Sequence, residues 1–218
     1  MSQQKGIVKG DPFQKLSSVS LVVAGILLII FNILLPRAND PSKILNLVNT
    51  WGSKAGLVRA CTFFLSVGIW ALMIGVAGIY RSITERGAAF AHLGFYVVTV
   101  GTTLFTLSFA SVMATATAPD RAIAAVIATM GNAVFTMSIL VEWLAIAFTG
   151  IGMVASSVYP KWQGWAAVAL GFLTFVVVGI PQFFNGQTAA LQMVFAVLAV
   201  LSTIWALVVG IQTAQKAW

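Results

Sequence analysis

Along the chain, apolar residues gather in six runs near 16–35, 57–79, 88–116, 123–155, 165–184 and 189–212, with most ionisable residues between them or at their edges. Each run meets the roughly 20 apolar residues an α-helix needs to cross a hydrocarbon layer about 30 Å thick at about 1.5 Å per residue. The punctuation agrees with that division. Pro36 stops the first run, and Pro119-Asp120 parts the third from the fourth with Asp120 placed to cap a new helix. Tyr159-Pro160-Lys161 parts the fourth from the fifth, and Asn185-Gly186 the fifth from the sixth. These short connections predict antiparallel hairpins between neighbours, and the third and fourth runs, longer than a span requires, must tilt or project. The expected fold is all-α: a polytopic integral membrane protein in which 1–218 forms one transmembrane domain of about six helices in a bundle.

The first connection is different. Within 41–53, Ile44, Leu47, Val48 and Trp51 follow helical spacing while Lys43, Asn46, Asn49 and Thr50 fall on other faces. This pattern fits a short helix lying in the membrane interface, or an ordinary loop with an apolar anchor.

Composition strengthens the membrane reading. Of 218 residues, 60% are apolar and 8% charged, against about a quarter charged in a soluble domain. The net charge of +7 comes from 12 basic and 5 acidic residues. The basic side chains are scattered singly between apolar runs, which argues against nucleic acid as a partner. One Cys and one His exclude a disulfide framework, a Cys/His zinc site, a self-contained iron–sulfur site and a bis-histidine haem. Lys5, Lys9 and Lys15 ahead of the first run imitate a secretory signal, but the apolar stretch is too long and lacks a small-residue cleavage site, so an uncleaved first helix is expected. With the N-terminus inside, Lys5, Lys9, Lys15, Arg81, Arg86, Lys161 and Lys216 face the cytoplasm, against Arg37, Lys43, Lys54, Arg59 and Arg121 outside. The bias favours a multi-pass protein of the cell membrane with both termini cytoplasmic. Tyr80, Tyr159, Trp162 and Trp165 then suit an aromatic belt at the inner interface and Trp51 one at the outer.

A shift of 77 positions lays Gly75 on Gly152, Gly87 on Gly164 and Leu93-Gly94-Phe95 on Leu170-Gly171-Phe172, the register of a parallel repeat of two hairpins or of chance matches in apolar sequence. The turn Tyr159-Pro160-Lys161-Trp162-Gln163-Gly164-Trp165 resembles one in a family of small multi-spanning prokaryotic membrane proteins of unknown function. The resemblance implies prokaryotic origin and a multi-pass bundle, and no activity.

Chemistry is sparse. Glu142 stands near the middle of the fourth run, where an ionisable group costs at least about 2.5 kcal/mol and marks a functional candidate. It reads as a proton-relay or cation-binding carboxylate, or as a protonated acid bonding a neighbouring helix or subunit. His92, the single histidine, can serve as one axial ligand to a porphyrin or chlorin metal, or can be an ordinary interfacial side chain. Asn32, Thr62, Ser66, Thr106, Ser108, Ser111, Thr115, Asn132, Gln182 and Gln192 all fall in the outer half of the bilayer on the N-inside topology. They describe either a polar vestibule with Glu142 near its floor and Pro181 loosening the fifth helix beside it, or hydrogen-bonding between packed helices.

No nucleophile–base pair, metal cluster or phosphate loop can be assembled, Cys61 has no base near it in sequence, and no span carries a Lys for a retinal Schiff base, so an enzyme is not expected. The sequence favours a non-catalytic subunit or scaffold of a larger membrane complex, respiratory or photosynthetic, whose flanks meet lipid, other subunits or a second copy. It requires no cofactor and leaves room for a bound lipid or pigment. The alternative is a small transporter or channel in which Glu142, Asn132, Gln182, Gln192 and Asn32 serve the permeant species.

Overall fold

The structure, a computed structural model, describes residues 6–84 and 86–218; Lys5 and Glu85 lie outside them. The regular elements among the described residues are all helices. They run α1 (Pro12–Leu34), α2 (Ile44–Ser53), α3 (Ala55–Ser82), α4 (Ala88–Thr117), α5 (Arg121–Ala155), α6 (Lys161–Thr174), a π-turn (Phe175–Gly179), α7 (Ile180–Asn185) and α8 (Ala189–Ala217). Six are long and apolar enough to cross a membrane: α1, α3, α4, α5, the composite Lys161–Asn185 and α8.

Local chemistry sets the starts. Asp11 accepts a hydrogen bond from the Phe13 amide at 2.9 Å, Asp120 from Ile123 at 2.8 Å and Thr188 from Leu191 at 3.2 Å, each satisfying an orphan N–H of a first turn. The α4 start uses Gly87 at φ +99°, and a Cβ there would press on the Gly152 carbonyl oxygen, so both backbone angle and space demand glycine. Its partner in the 77-residue register, Gly164, sits instead inside α6, so the two turns are built differently.

The six spans form a ring in chain order. Each packs on its predecessor and successor, and α8 closes the ring on α1. Neighbouring spans pack on each other as expected, but α8 packs more extensively on α1 than on α6, and the Gly10 amide bonds the Ala217 carbonyl at 2.9 Å to join the chain ends. The seam between α4 and α5 is the most extensive in the bundle. Gly94 and Gly101 on α4 and Gly152 on α5 let the backbones close together there.

Two elements differ from the sequence reading. The helix α2 begins at Ile44, and its apolar face is turned into the protein: Leu47, Val48 and Trp51 pack with Val58, Ala116, Ala124 and Ala128, while the Trp51 indole donates to the Pro36 carbonyl at 3.0 Å. Trp51 therefore fastens α2 over one end of the ring and belongs to no lipid belt. The fourth span explains the seat, since α5 has 35 residues, a rise of about 50 Å, and its surplus first turns carry Ala124 and Ala128 against α2. The fifth span starts at Lys161, earlier than its apolar run, and is broken by the π-turn ahead of Pro181, whose ring nitrogen cannot donate to the carbonyl four residues back.

Trp162 and Trp165 are exposed, as a belt requires, but Tyr159 is buried, its hydroxyl 2.9 Å from that of Ser82. It locks the α5–α6 turn to the end of α3, and burial pushes its phenol up to about 12.

Candidate functional site

The ring encloses two adjoining cavities, each with about 130 Å³ of open space, that share Asn32, Leu35, Phe109 and Phe135 in their walls. The upper one lies at the α2 end, roofed by Leu47 and Trp51 and bounded by Pro36, Arg37 and Gln187. Five of the ten polar residues expected in a vestibule line it: Asn32, Ser108, Ser111, Asn132 and Gln192. The Arg37 guanidinium donates to Asn32 Oδ1 at 3.4 Å and is the one charged side chain among the lining residues.

The lower cavity lies deeper between α1, α3, α4, α5 and α8. Its walls are overwhelmingly apolar, and Glu142 is the one ionisable residue among them. Glu142 is 1% exposed, and neither carboxyl oxygen has a hydrogen-bond partner among the described residues. The indole N–H of its neighbour Trp143 is likewise buried and unpartnered. Native proteins satisfy nearly all buried polar groups, so Glu142 and the indole of Trp143, consecutive on α5, are two exceptions within the lining of one cavity. On the other side Gly101 leaves the carboxyl room against α4, where a Cβ would collide with Oε2.

A layer of aromatic rings lines the lower chamber, and two of them, Phe109 and Phe135, also line the upper. Phe105 packs against Phe109 at 5.8 Å, Phe135 at 5.9 Å and Trp143 at 6.0 Å between centroids. Phe195 on α8 meets Phe135 edge-on at 5.5 Å and Trp143 at 5.2 Å, so the aromatic side chains bridge the lumen from α5 to α8.

The remaining sequence candidates are placed elsewhere. Gln182 is buried and outside both chambers: its side-chain amide donates to Thr136 Oγ1 at 3.0 Å, tying α7 to α5, and it lines a separate, more open pocket with Asn132 and Gln187. Thr106 accepts from the Trp70 indole at 2.9 Å across α3 and α4, and Thr62, Ser66 and Thr115 bond carbonyls one turn back on their own helices, as helix-packing hydroxyls do. His92 is exposed on the outer surface of α4 with its ring edge-on to Tyr80 at 4.5 Å, away from the lumen. No cluster of three or more potential metal ligands occurs among the described residues. The structure adds Ser202 and Thr203 on α8 to the lower wall; both donate to carbonyls of α8 at 2.8 Å, and in the sequence they look like any other hydroxyls of an apolar helix. No family model, curated protein or solved structure matches this chain.

Proposed function

We propose that the protein is a small membrane carrier or channel whose permeant species reaches the lumen from the α2 end, passes the aromatic layer and is met by Glu142. One observation carries this reading: an acid withdrawn from water in mid-bundle, among the lining residues of a cavity, with no partner for either oxygen among the described residues. A carboxyl kept only for packing is expected to bond a neighbouring helix, because an unsatisfied buried group costs about 1–3 kcal/mol. The polar upper cavity and the lower cavity that holds the acid adjoin, sharing Asn32, Leu35, Phe109 and Phe135 in their walls. The outward apolar surface, which a subunit or scaffold would also present, is what lipid alone demands.

Carriage is favoured over covalent chemistry because the lower chamber sets Asn32, Trp143, two helix-bonded hydroxyls and apolar walls around Glu142, with no nucleophile–base pair. With six spans the two termini share a side, and the seven-to-five distribution of Lys and Arg supports a cytoplasmic placement of that side, with the α2 mouth outside. The test is flux into proteoliposomes. Wild-type protein is expected to conduct or exchange small solutes, and Glu142→Gln to lose that flux while keeping its elution volume and helical content. A protein that carries nothing, and that purifies from native membranes only as part of a larger complex, would return the subunit reading to first place.

A further inference from the structure

Resting on the carrier reading, we propose that the lower chamber is a binding site for an organic cation, a quaternary ammonium or protonated amine on an apolar body. Three observations converge on this class. Glu142 is the single ionisable residue in the chamber's lining, its carboxyl set at the α4 wall against Gly101 and unpartnered among the described residues, and none of the lining residues is basic. Phe105, Phe135, Trp143 and Phe195 stand in the same wall, and aromatic faces attract cations with particular strength where water is excluded. The rest of the wall is aliphatic and matches a hydrophobic body.

An inorganic cation fits less well. Alkali and alkaline-earth ions take several oxygen ligands, whereas apart from Glu142 the wall offers Asn32, already bonded to Arg37, and the hydroxyls of Ser202 and Thr203. An anion would meet Glu142 with no counter-charge beside it. Arg37 does not close the route to a cation, since it is exposed at the mouth, where solvent and salt screen it, and it does not line the lower chamber. Open space of about 130 Å³ holds several waters, enough to receive a trimethylammonium group with modest rearrangement of the rings.

The probe pair is benzyltrimethylammonium and its uncharged isostere neopentylbenzene, titrated into the purified full chain in detergent with calorimetry and tryptophan fluorescence as readouts. The cation is expected to bind at one site per chain, at least about tenfold more tightly than the isostere. Glu142→Gln is expected to weaken it by about tenfold or more, Glu142→Asp to keep part of the affinity, and Phe195→Leu, which leaves the acid in place, to weaken it several-fold. Equal affinity for the two probes, or an unchanged Glu142→Gln variant, overturns the organic-cation assignment and leaves a lumen for neutral apolar ligands. Binding of sodium or potassium but neither probe, dependent on Glu142, also overturns it and leaves the carrier reading standing. If no probe of any kind binds, both fall. Should Glu142→Gln fail to fold, the wild-type preference between the two probes and the Phe195→Leu variant still decide.

Discussion

Gly101 on α4 lies directly against Glu142 on α5: a Cβ at residue 101 would strike the carboxyl and come within 3.0 Å of the Glu142 Cα and 3.1 Å of its amide nitrogen. The carboxyl could swing aside; the backbone could not. Gly101→Ala is therefore expected to force the α4–α5 seam apart and cost about 1–3 kcal/mol, read as a lower melting temperature in detergent. Gly56→Ala is the control. Nothing lies within 4 Å of its Cβ position in the first turn of α3, so it is expected to be neutral or stabilising by up to about 1 kcal/mol.

Glu142 itself sets stability against function. Its oxygens lack partners, so Glu142→Leu removes an unsatisfied buried acid and replaces it with a side chain suited to the surrounding wall. The variant is expected to melt higher, by about 1–3 kcal/mol of stability, and to carry no solute. A fall in melting temperature on Glu142→Leu would mean that the acid holds the bundle together and would remove the argument for a ligand there.

Why some of this was legible in sequence and some not has a physical answer. Hydrocarbon demands long uninterrupted apolar runs, so the six spans could be read directly, and a lone acid in such a run is conspicuous, so Glu142 could be too. Span ends were less visible because interfacial turns mix residue types: Trp162 and Gln163 belong to α6 although the apolar run starts later. Closure of the ring by α8 on α1 depends on residues far apart in the chain, which local periodicity does not encode. The same holds for side-chain destinations. Asn132 and Gln182 are both amides in the same half of the bundle, yet Asn132 lines the upper cavity while Gln182 is tied to Thr136. The aromatic layer left no mark, because Phe105, Phe135 and Phe195 each stand in an apolar run where a phenylalanine is ordinary.

The buried Tyr159 makes alkaline stability a test of the packing of the α5–α6 turn. Burial raises its pKa from 10.0 to about 12, so the neutral phenol is the form the folded state prefers. Its contribution is complete below pH 10 and is lost as pH rises from about 10 to 12, because the unfolded chain releases the proton first. That preference is worth on the order of 2–3 kcal/mol. Tyr159→Phe is expected to lose about 0.5–1.5 kcal/mol at pH 7 through the missing Ser82 bond, and to show a shallower decline in that alkaline window. Melting temperatures of both proteins across the pH series measure this, and parallel declines would count against a buried phenol.

The aromatic layer should behave as a barrier between the chambers, and thiol chemistry can time it. The native Cys61 is fully buried, so the unmodified chain gives a low background with a polar maleimide. Gln192→Cys in the upper cavity is expected to react readily, and from the outside only in oriented vesicles, which also tests the orientation. Ser202→Cys, whose site is buried beneath the rings, is expected to react at least about tenfold more slowly, because the layer must open first. Combining it with Phe195→Ala removes the ring that spans from α8 to Phe135 and Trp143, and the rate at residue 202 is then expected to approach that at 192. Equal rates at the two sites in the protein with Phe195 intact would show that the lumen is continuous, leaving Glu142 open to water with no aromatic constriction above it.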